Sequence, residues 1–476
     1  MAVANSLYWH DYETWGANPA TDKPCQFAGV RTDEDLNIIG DPLMLYCQPG
    51  SDCLPHPQAC LITGITPQLA QSQGVIEPEF FARIYEELAQ PGTCGVGYNS
   101  IRFDDEVTRY GLFRNFYDPY EREWRYGNSR WDIIDMVRFT YALRPEGIEW
   151  PRHDDGSPSF KLEALSAANG LAHDNAHDAL SDVYATIALA RLIRQQQPGL
   201  YDYAYQLRDK RRAAAMVDVS QRKPLLHISS RFPARHGCAA LVVPLLQHPS
   251  NRNSIICYDL AVDPRPLLTL TADTIVERLY SRQEQLPAGV ERIPLKEIHL
   301  NKAPIIATPK LLDQDTAKRL GIDKARCESH WLQLLHADLD PVLTEVYSRN
   351  PFPPNSDPEQ QLYEGFSPDQ DRQLFSQLRT AQPQELGQFF EQFTDKRLQA
   401  LLFRYRARHY PQTLTSDERQ RWQQWRYQRL TDPAAGASVT LDAYFEILES
   451  LAGNGHNQRL IDELLAYGDE VLAEES

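Results

Sequence analysis

Residues 7–16 read LYWHDYETWG, and the two acids in that stretch decide how the N-terminal part of the chain is understood. Leu7, Tyr8, Trp9 and Tyr12 suit a half-buried pleated strand. Side chains alternate faces along a strand, so Asp11 and Glu13 point the same way, roughly 6.5 Å apart along the chain. Two like charges so placed repel each other and lose hydration unless something positive lies between them. Either this face is solvated, or it holds a cation.

The 476 residues around this stretch are too many for one core, and about two to four domains are expected. With 42% hydrophobic and 24% charged residues and a mean hydropathy of −0.50, the composition is that of a globular protein. No apolar run approaches the roughly 18 residues of a membrane span, and no basic flank precedes an apolar core at the N-terminus. A cytoplasmic location without a membrane partner is therefore expected. Eight cysteines lie scattered without a C-x-x-C pair, which speaks against a disulfide framework and against a zinc ribbon. Cys53, His56 and Cys60 have loosely ligand-like spacing, with no evident fourth ligand. The net charge of −17 argues only weakly against a nucleic-acid partner, because binding follows the local field rather than the sum.

Three segments are predicted. The first, 1–198, ends where a long helical pattern meets Pro198 and Gly199. The second, 199–350, is rich in short strands: KPLLHIS, AALVVPLL, SIICYDLAV and PIIAT. A proline-rich linker at 351–358 leads to a third segment, 359–476, with Leu, Gln, Arg and Glu at helical spacing. In the first segment strands are expected at 7–12, 26–32, 36–46 and 93–99, and helices at 78–90, 103–114, 131–143, 160–168 and 176–195. That alternation predicts a layered α/β domain.

Two further acidic positions lie in the same segment. GVGYNSIRFDDEVTRYGLFRN (95–115) passes from a strand through Gly97 and Asn99 into a helix with Asp104 and Asp105 in its first turn. The helix dipole alone favours an acid there. HDNAHDALSDVYATIALARLI (173–193) opens another helix, with Asp174 or Asn175 as the expected N-cap and Asp182 near the core edge. Converging carboxylates make a divalent-cation site, since Mg²⁺ or Mn²⁺ takes oxygen ligands. Two such ions about 3.5–4 Å apart clamp the attacking and leaving oxygens of a phosphodiester. His177 then offers a base of suitable ordinary pKa. His177 and Asp182, however, stand about 140° apart around a regular helix. They meet only if His177 lies in an irregular first turn or in a loop before it. Asp178 shares the face of Asp182 and stays an alternative, as Asp105 does for Asp104.

The blocks HDYET (10–14), GYNSIRFDDEVTR (97–109) and NAHDALSDVYAT (175–186) resemble the three motifs of the DEDD exonucleases, in the subtype with a histidine in the last motif. RNFYDPY, NSRWDIIDMVR, YALRPEGI and FRYRARHYP extend the likeness to bacterial exonuclease I, a single-strand-specific DNA exonuclease family, over nearly the whole chain. The resemblance implies Asp11, Glu13 and Asp182 as metal ligands, with Asp104 as the second-motif carboxylate and His177 as general base. It implies a ribonuclease-H-like first domain, an SH3-like β-barrel domain with additions, and an all-α C-terminal domain. It further implies two Mg²⁺ ions, with Mn²⁺ as a substitute, and processive 3′→5′ hydrolysis of single-stranded DNA to 5′-mononucleotides in DNA repair or recombination. A monomer is implied, with the acidic C-terminal tail of single-strand DNA-binding protein as partner. The same three motifs also occur in 3′ exoribonucleases and proofreading exonucleases, and the fold can serve a catalytically silent binding protein.

Single strands are held by cations interleaved with aromatic faces. RNFYDPYEREWRYGNSRW (114–131) has that character. Tyr120 and Trp124 share a face there if the stretch is helical. Arg109, Arg138 and Lys161 are phosphate candidates, Lys223 and Asn253 (beside Arg252) are weaker ones, and Glu13 is expected near the DNA end as well. The stretch 395–430 reads either as amphipathic helices with arginine on the wet face or as a surface that clamps a strand or docks a protein.

Overall fold

The computed structural model describes residues 5–172, 177–349, 354–453 and 457–475. These form two compact units that do not follow chain order. One comprises the described residues within Met1–Ser129, His173–Thr186 and Pro354–Ser476; the other comprises those within Arg130–Ala172 and Ile187–Pro353.

The first unit is built on β1 (Ser6–Thr14), β2 (Pro24–Thr32), β3 (Leu43–Tyr46) and β4 (Thr93–Gly97), ordered β3-β2-β1-β4. β1 runs antiparallel to β2 from Leu7↔Thr32 to Glu13↔Gln26, and parallel to β4 from Ser6↔Thr93 to Trp9↔Val96. Through His10 both faces of β1 are buried, which explains its unbroken run of large side chains. Beyond Trp9 the partner β4 is no longer paired to it, and Asp11 and Glu13 become half-exposed. The strand expected at 36–46 forms only over its last four residues. Leu36 and Gly40 take positive φ angles of 67° and 81°, and Asp41 and Pro42 follow, so the chain turns there.

One face of this sheet packs Tyr8, Tyr12 and Phe27 against Phe80, Phe81 and Ile84 of the helix Glu77–Leu88 and Val107 and Leu112 of the helix Asp104–Arg114. Gly111 is required in that helix: a β-carbon there would lie 1.9 Å from the Phe81 ring. A second cluster joins Trp15, Cys25, Leu54 and Cys60 to Leu441, Tyr444, Leu448, Ile461 and Leu464 from two C-terminal helices, Leu441–Gly453 and Gln458–Glu475. Each such fully buried side chain stabilises by about 1.5–3 kcal/mol.

Charge also joins the N-terminal segment to the C-terminal helices. Asp52, 0% exposed, receives Arg408 through two hydrogen bonds of 2.8 and 2.7 Å and Lys23 at 3.1 Å. Arg408 also meets Glu359, Arg404 reaches Glu359 at 3.2 Å and Asp357 at 2.6 Å, and Arg429 reaches Asp357 at 3.0 Å. Burial alone would raise the Asp52 carboxyl, but Arg408 and Lys23 hold it well below the usual carboxylate range. Most arginines of the 395–430 stretch are used internally in this way. Arg397 pairs with Asp395, Arg406 with Glu418, and Arg426 donates to the Ser51 carbonyl.

In the second unit β6 (Leu225–Ile228), β7 (Ala239–Gln247), β8 (Ser254–Asp259), β9 (Leu295–His299) and β10 (Ile305–Ala307) form an antiparallel sheet ordered β10-β6-β7-β8-β9; the short strand β5 (Ser129–Asp132) falls where the chain passes from one unit to the other. β9, LKEIH, is the strand the apolar-run reading missed, because Lys296 and Glu297 interrupt it. Among the described residues no helix is long and apolar enough to cross a membrane. The Cys53/His56/Cys60 spacing proves structural: the His56 ring caps the helix Pro57–Thr63 by accepting the Gln58 N–H at 3.3 Å.

Candidate active site

The acids gather where β1 outruns its parallel neighbour, at the carboxyl end of the strand, where open α/β sheets bind ligands. Asp11 and Glu13 come from β1. Asp104 opens the helix Asp104–Arg114, is 3% exposed, and accepts the Tyr12 N–H at 3.0 Å. That bond ties the helix start to the strand between the two acids. Asp105 points elsewhere: its Oδ1 lies 2.5 Å from Arg122 in a buried ion pair.

The helix carrying Asp182 begins at Ala179, three residues later than the apolar pattern suggests. Asp178 is its cap, accepting the Ser181 N–H at 3.1 Å. The alternative caps Asp174 and Asn175 lie outside the described residues. His177 precedes the helix with φ +67°, a left-handed conformation that turns it off the helical path. The 140° that separates it from Asp182 on a regular helix therefore does not apply. Ligand atoms of Glu13, His177 and Asp182 all lie within 4.8 Å of one another.

The electrostatics agree with the crowding. Burial, then Asp104, Glu13, Asp182 and Asp178, push the Asp11 carboxyl well above its ordinary range. Burial, then Asp182, Asp104 and Asp178, push Glu13 up to about 8. Oxygen donors so crowded that burial and mutual repulsion push their carboxyls upward fit a hard divalent cation. Asp11, Glu13, Asp104 and Asp182 would hold it.

The candidate DNA contacts fare differently from one another. Arg109 is buried, with Glu123 at 2.7 Å, Glu106 at 2.9 Å and the Tyr363 hydroxyl at 2.9 Å on its guanidinium. Arg114 and Arg122 are likewise buried in pairs with Glu77 and Asp105. Tyr120 and Trp124 do not share a helical face: only a short 3₁₀ turn, Glu121–Glu123, separates them. Trp124 is 66% exposed, whereas Tyr120 is half-buried, edge-on to Phe366 at 5.7 Å. Phe116 and Trp131 are core. In the second unit Arg138 is buried and paired with Asp135 at 2.6 Å, and Lys161 is exposed just before the helix Leu162–Ala168. There Lys223 is exposed beside Asp218 at 2.7 Å, and Asn253 accepts from Lys210.

One polar residue near the acids gave no sequence signal. Gln26 of β2 is buried; its Oε1 accepts the Ala179 N–H at 3.1 Å, and its Nε2 donates to Asp178 Oδ2 at 3.4 Å.

Carboxylates at a strand's open end, crowded enough to hold protons and joined by a histidine, mark the class of metal-dependent phosphodiester hydrolases. Residues 8–190 match the family model described as Exonuclease, residues 208–349 the Exonuclease I SH3-like domain, and residues 356–471 the Exonuclease I C-terminal domain. The chain is 45% identical over 471 residues to exodeoxyribonuclease I of Escherichia coli (strain K12), covering 98% of each. It is similar to the crystal structure of E. coli exonuclease I in complex with a dA16 oligonucleotide, with a TM-score of 0.92 at 45% identity, over 98% of this chain and 100% of that one. It is similar also to a structure of SSB/exonuclease I in complex with the inhibitor CFAM, with a TM-score of 0.91 at 42% identity, over 98% and 100%. The chain belongs to the exonuclease I family.

Proposed function

We propose that this chain is a Mg²⁺-dependent exodeoxyribonuclease that degrades single-stranded DNA 3′→5′ to 5′-mononucleotides. It acts as a cytoplasmic monomer, processively, in DNA repair or recombination. The observation that carries the reading is the meeting of Glu13, His177 and Asp182 within 4.8 Å beside Asp11. Asp11, Glu13, Asp104 and Asp182 would hold two ions. When bound, they supply the positive charge that makes water acidic and neutralises a leaving oxygen. His177 takes the proton of the attacking water, and its left-handed backbone keeps the imidazole beside the carboxylates. The water attacks the terminal phosphodiester in line, and the 3′ oxygen leaves. Trp124 offers an exposed aromatic face to the strand. A 5′-labelled oligomer with Mg²⁺ should give a descending ladder of labelled fragments. Release of labelled mononucleotide at the outset, or faster cleavage of an RNA oligomer of the same sequence, would overturn the proposal.

The raised Glu13 carboxyl makes cation binding pH-dependent. Its folded pKa of about 8 lies above the ordinary glutamate value, so at pH 7 the metal-free protein keeps this proton. The corresponding stability is complete below the ordinary value and is lost as pH rises through about 8. A cation entering at pH 7 therefore displaces protons from this cluster, and its apparent affinity rises with pH up to about 8. Titration calorimetry in two buffers of different ionisation enthalpy reads this directly; a proton yield near zero would refute it.

For the partner, an apolar cavity of about 350 Å³ in the second unit, lined by Phe139, Leu143, Tyr203 and Leu311 with the exposed Arg144 at its edge, suits the acidic tail of single-strand DNA-binding protein. An apolar tail residue would fill it while Arg144 meets a carboxylate. The 395–430 stretch suits it less, since its arginines are largely paired. Arg144→Ala should weaken binding of a labelled tail peptide about tenfold or more in fluorescence anisotropy. Unchanged affinity would move the tail elsewhere.

A further inference from the structure

β2, PCQFAGVRT, carries a polar side chain in the middle of a buried run: Gln26 is 1% exposed between Cys25 and Phe27, both 0% exposed. In the ladder it stands directly opposite Glu13. Two of its hydrogen bonds, to the Ala179 N–H and to Asp178 Oδ2, fall on the residues that immediately follow His177. The Ala179 N–H is one of the donors that a helix start leaves without an intrahelical partner, and here it is buried. Asp178 in turn caps Ser181. Gln26 thus grips the one joint at which the chain leaves the left-handed His177 and becomes the helix bearing Asp182.

The two halves of the acidic cluster come from different elements, Glu13 from β1 and His177 with Asp182 from the helix start. Hydrogen bonding within either element does not set the distance between them. Gln26 does so, because its register fixes it to Glu13 and its amide fixes it to Asp178 and Ala179. We infer that Gln26 is a positioning residue for the hydrolysis proposed above. It touches no reacting atom, and holds His177 and Asp182 at their working distance from Glu13. The inference rests on the exonuclease reading of this site.

The test uses the full-length chain and a 5′-labelled single-stranded oligomer, with kcat, KM and Tm measured for each variant. Gln26→Met keeps the bulk and removes both hydrogen bonds; kcat should fall about 30- to 100-fold with KM within about twofold, the loss expected of a displacement near 1 Å. Gln26→Glu sets a carboxylate against Asp178 and should lose at least as much. Adding Asp178→Asn supplies a donor for the carboxylate so introduced, while the Oδ1 at position 178 keeps the Ser181 cap. The double variant should restore kcat to within about fivefold of the parent. A purely structural role would instead lower Tm in step with kcat across the variants. Should Gln26→Met melt far below the parent, Gln26→Asn, which stays polar but falls one methylene short of Ala179, replaces it with the same expectation. The inference is overturned if the folded variants keep kcat within about threefold, if KM rises while kcat holds, or if the double variant is no better than Gln26→Glu. A parent protein that leaves the oligomer intact would instead defeat the exonuclease reading itself.

Discussion

Replacing Asp182 by alanine should cut hydrolysis about 10³-fold or more while leaving the protein able to bind single-stranded DNA. Asp182 supplies one of the three ligand positions within 4.8 Å, on a helix whose start is capped by Asp178 and gripped by Gln26. The side chain is not part of the apolar core, so the substitution leaves the fold intact. On the metal-site reading proposed above it removes a charge that cation binding would use, and the charge stabilisation then lost in the transition state is several kcal/mol, each 1.36 kcal/mol being about tenfold in rate. Removing a negative charge beside a phosphate does not weaken the hold on the strand. Single-turnover cleavage of a 5′-labelled oligomer and anisotropy of the same oligomer at fixed salt check the two halves. Activity within tenfold of the parent, or a folded variant that no longer binds DNA, would contradict the assignment.

The second large effect is on stability. Arg408→Met leaves Asp52 and Glu359 buried with their principal cation gone. Breaking a buried pair from one side costs about 3–5 kcal/mol, because the remaining charges are neither hydrated nor neutralised. For a unit of this size that corresponds to a fall in Tm of about 5–10 °C. The depressed Asp52 carboxyl fixes the pH dependence of the effect. Its contribution is complete above the ordinary aspartate value of about 4 and is lost as pH falls through its lower folded value. The gap in Tm between parent and variant should therefore be largest near neutrality and shrink in acid. Melting curves at pH 7 and pH 3 measure it; a variant melting within about 1 °C of the parent at pH 7 would show that Lys23, Arg404 and Arg429 suffice without Arg408.

Much of the candidate site was legible because its parts are local. D-x-E on a strand places two acids on one face whatever surrounds them, and FDDE after Gly97 and Asn99 announces a helix start. The His177–Asp182 spacing even posed the right question, since helical geometry forbade their meeting unless the helix began later than its apolar pattern. Long-range choices were not legible. Nothing local tells that Arg408 pairs with Asp52, 356 positions away, or that Arg109 meets the Tyr363 hydroxyl, 254 positions away. An arginine among aromatics looks the same whether it awaits a phosphate or has found a carboxylate. Gln26 was hidden for a related reason: a glutamine in an apolar strand reads as an interruption until its partners, more than 150 residues on, are in place.

The cluster that joins Trp15, Cys25 and Leu54 to Leu441, Tyr444 and Ile461 also bears on how the protein is made. The strand β2, whose Cys25 that cluster covers and whose Gln26 bonds to Asp178 and Ala179, is synthesised more than 400 residues before its covering helices. At about 5–20 residues per second that is a wait of roughly 20–80 s. During translation the ribosome therefore carries a half-covered sheet, with apolar side chains open to chaperones and to neighbouring nascent chains. The candidate active site is gathered from the first half of the polypeptide, yet its scaffold closes only once the helices Leu441–Gly453 and Gln458–Glu475 leave the exit tunnel.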